Sequence, residues 1–297
     1  MNLTVENCPL CEDQSHVHFE SVQDSEHTLT YLLCNSCGLV FQSPRMSDEE
    51  LKDFYQAEYR HRVQDDVGPT EKDRRVQAGR ARNLLKILRK HLNQVRSHLD
   101  IGSSAGSLLG VVHQTYNCVS VGVEPGDAYR VFSRGRGWNV VVDLDELCKD
   151  YSTNFDLVTM AHVLEHLPDP VGYLRILREE WLMHGGHLLI EVPNLYGHTS
   201  LELAHLTAYS ATTLRRTLNR AGYKIKALEV HGRPRSRLIP LYLTALAQVS
   251  SQQIPSFNFR VNRRSIQMRR KFGLFWARAM TRLFPAWAWL PWPELNE

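Results

Sequence analysis

The sequence lacks any apolar run of about 18 residues, the length a bilayer-crossing helix needs. Met1 to Cys11 also lack the basic start and unbroken apolar stretch of a secretory signal. A helical membrane protein is thereby excluded, and a cytoplasmic location is expected. Internal repeats and low-complexity tracts are absent, which removes solenoid and fibrous architectures. The G-x-G-x-x-G fingerprint of dinucleotide sites is missing too: counted from Gly102, Ser104 and Ser107 hold the other two glycine positions. Acid is scarce in one region only. From His231 onward there are 11 Lys and Arg against 2 Asp and Glu, so a tail of net charge +9 follows a body of −6. A basic tail of this kind suits an anionic partner.

What is there suffices for one full-sized core and a small accessory module, since 43% of the 297 residues are hydrophobic and 23% charged. Four of the six cysteines form two C-x-x-C pairs, Cys8 with Cys11 and Cys34 with Cys37, separated by 22 residues. Two such knuckles suit one tetrahedral zinc, with Gly38 supplying the turn after the second. The same thiols could instead stand unliganded or pair as disulfides. Four thiolates would close the coordination sphere, so an ion held there would stabilise the fold and perform no chemistry. Segments 16–19 and 29–33 read as strands of a ribbon. Cys118 and Cys148 remain as buried thiols.

Ser47, three residues before Glu50, fits a helix capping box. A polar linker over 59–72 then precedes a long helix from about Asp73 to Asn93, with Ala81, Leu84, Leu85 and Leu88 on its apolar face. Apolar runs at 99–101, 119–123, 140–142, 155–160 and 187–192 alternate with helical stretches, which predicts a parallel sheet covered on both faces. A helix over 210–221 and a strand over 223–230 follow.

Leu99-Asp100-Ile101-Gly102-Ser103-Ser104-Ala105-Gly106 sets an acid at a strand end before a small-residue loop and a helix. Further on come Val123-Glu124-Pro125, Val142-Asp143-Leu144, the run from Phe155 through Ala161-His162-Val163-Leu164-Glu165-His166-Leu167-Pro168, and Gly185-Gly186 before Ile190-Glu191-Val192. In this order the elements resemble the class I S-adenosylmethionine-dependent methyltransferases, with Ser104 where that family often has a glycine. The resemblance implies that Asp100, Gly102, Ser104 and Gly106 organise the methionine end of the cofactor. It implies that Glu124 holds the ribose hydroxyls, that Asp143 and Leu144 meet the adenine, and that Ala161 and His162 border the methyl-transfer face. Charge agrees: S-adenosylmethionine carries a sulfonium and an ammonium, whereas a pyrophosphate would be repelled by Asp100.

The cysteine ribbon and the stretch after it resemble the zinc-binding front end of the branch that includes deoxysugar C-methyltransferases, over about residues 5–230. His205-Leu206-Thr207-Ala208 matches that branch's stretch over the acceptor pocket, although Ala204 stands where a glutamate is usual and the large C-terminal domain of those enzymes has no counterpart. His205, His162 and His166 are candidate bases, imidazole being the side chain that changes charge near neutral pH; the alternative for each, weightiest for His166, is a histidine that only hydrogen-bonds within a helix or pocket wall.

The expectation is an α/β protein: a small zinc ribbon (1–46), a helical linker or lid (47–97), a Rossmann-like S-adenosylmethionine-binding domain (98–230) and a basic aromatic helical tail (231–297). The partner would be a small-molecule or glycan-type acceptor, sugar or lipid-linked. The tail either touches a membrane surface peripherally or folds onto the body. Nucleic acid is not favoured, because no strand motif for stacking bases stands out. The rival classes are a non-catalytic nucleic-acid-binding protein with a methyltransferase-like fold and a dinucleotide-dependent oxidoreductase.

Overall fold

A computed structural model of the chain describes residues 3–24, 27–51, 53–54, 68–150, 154–199, 201–250, 261–291 and 294–295. The two cysteine knuckles flank an antiparallel hairpin, β1 (His16–Asp24) and β2 (His27–Cys34), followed by β3 (Val40–Gln42). The capping box at Ser47 closes as predicted. Ser47 N–H donates to Glu50 (2.8 Å), Glu50 N–H donates to the Ser47 hydroxyl (3.1 Å), and a helical segment opens at Asp48. Most of the expected linker, 59–67, lies outside the described residues, as do the Cys148 side chain and Trp292.

Helix α1 (Glu71–His91) starts on a second capping box, Thr70 with Asp73, and carries acid in its first turn and base in its last, as the helix dipole favours. Its stripe of Ala81, Leu84, Ile87 and Leu88 is buried; Ile87 takes the core place expected of Leu85, which is half-buried. Strands and helices then alternate: β4 (Ser97–Ile101), α2 (Ser107–Tyr116), β5 (Val119–Val123), α3 (Asp127–Gly135), β6 (Asn139–Val141), α4 (Leu144–Asp150), β7 (Phe155–Ala161), α5 (Pro170–Ile176) and β8 (Leu182–Pro193). After them come β9 (Thr207–Ala208), α6 (Ala211–Arg220), β10 (Tyr223–His231), β11 (Tyr242–Val249), α7 (Arg263–Leu283) and α8 (Pro285–Ala288).

The central sheet has the order β10-β11-β8-β7-β4-β5-β6. Strands β4 to β8 are parallel, and β10 and β11 close one edge antiparallel. Successive residues of a strand face opposite sides, so two cores form. Leu188 and Ile190 pack with Leu99, Val121 and Trp181 on one face, while Leu189, Leu157 and Leu246 pack under α1 and α2 on the other. This is the expected α/β architecture.

Two findings differ from the sequence reading of the ends. First, the segment from 231 is not all helical tail, because β11 is a buried interior strand of the main sheet, paired with β8 and β10. The charge count hid it. The arginines at 233, 235 and 237 mask an apolar run, Tyr242-Leu-Thr-Ala-Leu-Ala, that reads as a strand once β8 needs a partner. Second, the ribbon is not a detached module. Its sheet takes a fourth strand from far along the chain, with Val40 paired to Ala208 and Phe41 to Thr207, and it shares an apolar core with Leu195 and Leu201.

Helix α7 packs on this junction. Arg270 is buried, its guanidinium donating to the carbonyls of Leu195 and His198 (2.5 Å each) and to Glu20 (3.2 Å). Gly273 lies so close to the Tyr196 carbonyl that a Cβ would stand 1.8 Å from its oxygen. The helix thus folds onto the body by one face, while Met268, Phe272 and Phe275 remain exposed on the other. Among the described residues no helix is long and apolar enough to cross a membrane.

Candidate active site

The carboxyl ends of β4, β5, β6 and β7 open onto a cleft of about 770 Å³. Such a crevice is where parallel α/β sheets bind ligands, because the loops there leave the sheet in opposite directions. Asp100, Gly102, Ser104, Glu124, Asp143, Leu144, Ala161, His162 and His166 all line it. Gly106 and His205 do not.

The loop after β4 is held under strain. Gly102 has φ +71°, and a Cβ there would meet the Val163 side chain at 2.5 Å, so the position requires glycine. Ser104, although not glycine, sits at φ +50°, a conformation costing about 1–2 kcal/mol for an ordinary residue. Four bonds fix it. Its N–H donates to Glu124 (2.8 Å), its hydroxyl accepts from Gln77 (2.8 Å), its carbonyl accepts from Ser133 (2.7 Å), and the next N–H, of Ala105, donates to Gln77 (3.2 Å). Gly106 lies behind the loop as the left-handed residue that starts α2, packed against Trp138. Its contribution is to the turn and not to the cleft lining.

Asp100 is buried and accepts from the Thr159 hydroxyl (2.6 Å), which also meets His98 Nε2 (2.8 Å). Burial, aided by the charge of Glu124 and opposed by Thr159, pushes its carboxyl up to about 7. Burial alone takes His98 down to about 3. Glu124 is buried and accepts from two backbone N–H groups, those of Ser104 and Gly126 (2.8 Å each). Asp143, at the cleft rim, caps α4 by accepting from Glu146 N–H (2.8 Å).

Opposite the strained loop stands a cluster of histidines and carboxylates. His162 has φ +59° and lies between two buried acids, Nδ1 3.3 Å from Glu165 and Nε2 3.5 Å from Glu191. Burial and Arg80 would lower its pKa; the two flanking carboxylates, Glu165 and Glu191, outweigh them and raise it. Glu191 also meets Arg80 (2.9 Å), His231 (3.5 Å) and the Thr244 hydroxyl (3.1 Å). Burial would raise Glu165, but His162 and the neighbouring histidines hold it near 2. His166 is lowered by burial, its Nδ1 2.9 Å from the Ala204 carbonyl. His205 stacks edge-on behind His166, ring centroids 4.8 Å apart, and lines a separate hollow with Glu165. Of the three candidate bases, the fold brings His162 and His166 to the cleft and sets His205 one layer behind.

The four ribbon thiols converge, all sulfurs within 4.8 Å of one another and two pairs at 3.4 Å. Four sulfurs bound tetrahedrally at about 2.3 Å stand about 3.8 Å apart, so the set has the dimensions for one ion.

Sequence reasoning missed Gln77, Arg80, Thr159 and Glu191. Gln77 and Arg80 sit on a helix whose partner loop is not inferable from spacing. Thr159 and Glu191 carried a usable signal: each is a polar residue inside an otherwise apolar strand, and a buried polar group needs a partner.

The methyltransferase-domain family profile matches residues 71–228. Among solved structures, the chain is similar to 1,6-didemethyltoxoflavin-N1-methyltransferase from Burkholderia thailandensis, determined with 1,6-didemethyltoxoflavin and S-adenosylhomocysteine, at 16% identity and a TM-score of 0.57, covering 78% of this chain and all of that one. A SAM-dependent methyltransferase from Archaeoglobus fulgidus aligns at 22% identity and a TM-score of 0.45, over 57% of this chain and 94% of that one. No curated protein matches the chain. With more than half of its length matched, and with this sheet order and cleft, the chain belongs to the methyltransferase-domain family and has the fold of the class I S-adenosylmethionine-dependent methyltransferases.

Proposed function

We propose that the protein transfers a methyl group from S-adenosylmethionine to a small-molecule or glycan-type acceptor. One observation carries the reading: two buried carboxylates, Asp100 and Glu124, end adjacent strands on either side of a strained small-residue loop that opens on the cleft. A phosphate-bearing dinucleotide would meet like charge there, whereas a ligand with an ammonium and a sulfonium meets opposite charge.

In this reading Asp100 and the loop at Gly102 and Ser104 hold the methionine end, Glu124 accepts from the ribose hydroxyls, and Asp143 and Leu144 border the adenine. Gly106 supports the loop from behind. Bound S-adenosylmethionine supplies an electrophilic methyl on a sulfonium. The chain's own part is to orient the acceptor in line with that methyl and to take its proton. His162 is the group suited to the proton, since it lines the cleft beside Ala161 and its raised pKa is sustained by Glu165 and Glu191. His166 forms the wall next to it, and His205 supports that wall.

The four-cysteine cluster fits a structural zinc. Its thiolates leave no open position for chemistry, and the strands it ties carry the wall that ends at His205. The exposed apolar row of α7, set among arginines, suits a membrane surface and therefore a lipid-linked acceptor. Co-sedimentation with anionic vesicles, lost in a Phe272→Ser/Phe275→Ser variant, tests that part.

The deciding experiment is calorimetric titration with S-adenosylhomocysteine. We expect low-micromolar binding that Asp100→Ala and Glu124→Ala each weaken by at least about tenfold, about 1.4 kcal/mol. No binding by the folded protein would overturn the reading and return a dinucleotide or nucleic acid to consideration.

A further inference from the structure

We propose that Glu165, His166 and His205 form a second metal site, a two-histidine, one-carboxylate pocket for a divalent first-row cation at the acceptor side of the cleft. One candidate ligand atom from each of the three lies within 4.8 Å of the others. Two imidazoles bound to one ion at about 2.1 Å, at roughly a right angle, would have ring centroids roughly 5 Å apart, and those of His166 and His205 are 4.8 Å apart.

Glu165 supplies the second, independent observation. Its side chain is 1% exposed, yet neither carboxylate oxygen makes a hydrogen bond. A buried carboxylate is ordinarily satisfied by several donors or by a cation, because burying the charge uncompensated costs several kcal/mol. His162 Nδ1, 3.3 Å from one oxygen, meets part of that need. An ion held with the two histidines would meet the rest.

The backbone presets the ligands. His166 Nδ1 is 2.9 Å from the Ala204 carbonyl. A carbonyl only accepts, so Nδ1 carries the hydrogen and the lone pair lies on Nε2, the arrangement that orients metal-binding histidines elsewhere. The Glu165 carbonyl accepts from Leu206 N–H (2.8 Å), and the His205 carbonyl accepts from the Tyr31 hydroxyl (2.7 Å), so the two segments are tied to each other and to the ribbon. Nitrogen and carboxylate ligands suit zinc, manganese or iron(II) and differ from the all-thiolate set at the ribbon.

Three protein ligands leave positions open; Glu165 and His205 line the hollow behind the wall, and His166, which lines the main cleft, marks the side from which an acceptor atom would reach the ion. The ion would there accept an oxygen of the acceptor, which narrows the acceptor class to molecules presenting a hydroxyl or carbonyl beside the methylated atom. This role rests on the methyltransferase reading; the binding of the ion does not.

The test counts zinc. The full chain is dialysed against micromolar Zn²⁺, and bound metal is measured by mass spectrometry beside S-adenosylhomocysteine calorimetry on the same samples. Glu165→Gln and His205→Gln are each expected to hold one zinc fewer per chain than the wild type, with affinity for S-adenosylhomocysteine within about threefold. Equal counts overturn the site. Should either variant fail to fold, the wild type decides: its zinc-edge X-ray absorption is expected to show nitrogen or oxygen near 2.1 Å beside sulfur near 2.3 Å, and sulfur alone would overturn the proposal. Loss of S-adenosylhomocysteine binding by the wild type would instead strike the methyltransferase reading and leave the metal count standing.

Discussion

The two sides of the cleft are built by opposite means. On the cofactor side, the bonds that shape the site run between residues 77 and 159: Gln77 to Ser104 and Ala105, Ser104 to Glu124, Ser133 to Ser104, Thr159 to Asp100. On the opposite side, which we propose receives the acceptor, they span the chain. Strand 40–42 pairs with 207–208, Tyr31 donates to the carbonyls of Glu202 and His205, Arg216 to that of Cys37, and Arg270 joins Glu20 to Leu195 and His198. A strand–loop–helix unit that closes locally holds its geometry with little outside help. A wall assembled from four distant segments depends on whatever clamps them, here the cysteine cluster at one end and Arg270 at the other.

The largest expected effect tests that dependence. Replacing two ligands at once, Cys34→Ser/Cys37→Ser, removes the proposed zinc and with it the ribbon's folding energy. Hydrogen exchange should then show protection lost over 29–42 and 205–209, while S-adenosylhomocysteine affinity changes by less than about threefold. Equal loss on both sides would mean that the two sides form one cooperative unit and would break the comparison.

The same contrast governs what could be read beforehand. The strand ends and loop around Asp100 and Glu124 were legible as structure because their signals are local: acids at strand ends, glycines in a turn, apolar runs of strand length. Strands 119–123 and 223–231 fall where the pattern sets them to within a residue. The four cysteines were legible from spacing alone. The acceptor wall was not, because pairing Val40 with Ala208 leaves no trace in either segment's composition. His205 was identified by resemblance, but its place behind His166 follows from the ribbon's hold on its backbone. Strand 242–249 was hidden by the neighbouring charges that made the region read as tail.

Arg270→Ala comes next in size. It leaves two carbonyls in a buried junction and Glu20 without their donor, and loss of such a buried charged donor costs about 3 kcal/mol. Chemical denaturation should report that loss, and the comparison sharpens if exchange quickens at 195–208 and not at 100–124.

Asp100 gives a smaller effect confined to the other side. Folded, it keeps its proton up to about pH 7, whereas an exposed aspartate loses it near 3.8. The ligand-free protein therefore loses stability from this group as pH rises through that window. A cationic ligand favours the ionised form, so S-adenosylmethionine affinity should rise close to tenfold between pH 6 and 7.5, about 1.4 kcal/mol at most. Asp100→Asn should flatten that profile; a flat wild-type profile would mean that this carboxylate does not face the cationic end of the cofactor.

The smallest effect discriminates best. Tyr31 is a ribbon residue, buried, whose side-chain hydroxyl donates to the carbonyls of His205 (2.7 Å) and Glu202 (2.9 Å). Tyr31→Phe keeps the ring's packing and removes that donor, a change worth about 1 kcal/mol. The hydroxyl's acceptors, Glu202 and His205, lie outside residues 77–161, so S-adenosylhomocysteine affinity should be unchanged. The loop that carries His205 should loosen, visible as faster exchange at 203–207 and, for any acceptor found, a raised KM with little change in kcat. A ribbon hydroxyl that altered acceptor binding while leaving the cofactor untouched would show that the N-terminal module shapes the acceptor wall as well as stabilising the fold. An effect of equal size on both ligands would instead assign Tyr31 to general stability.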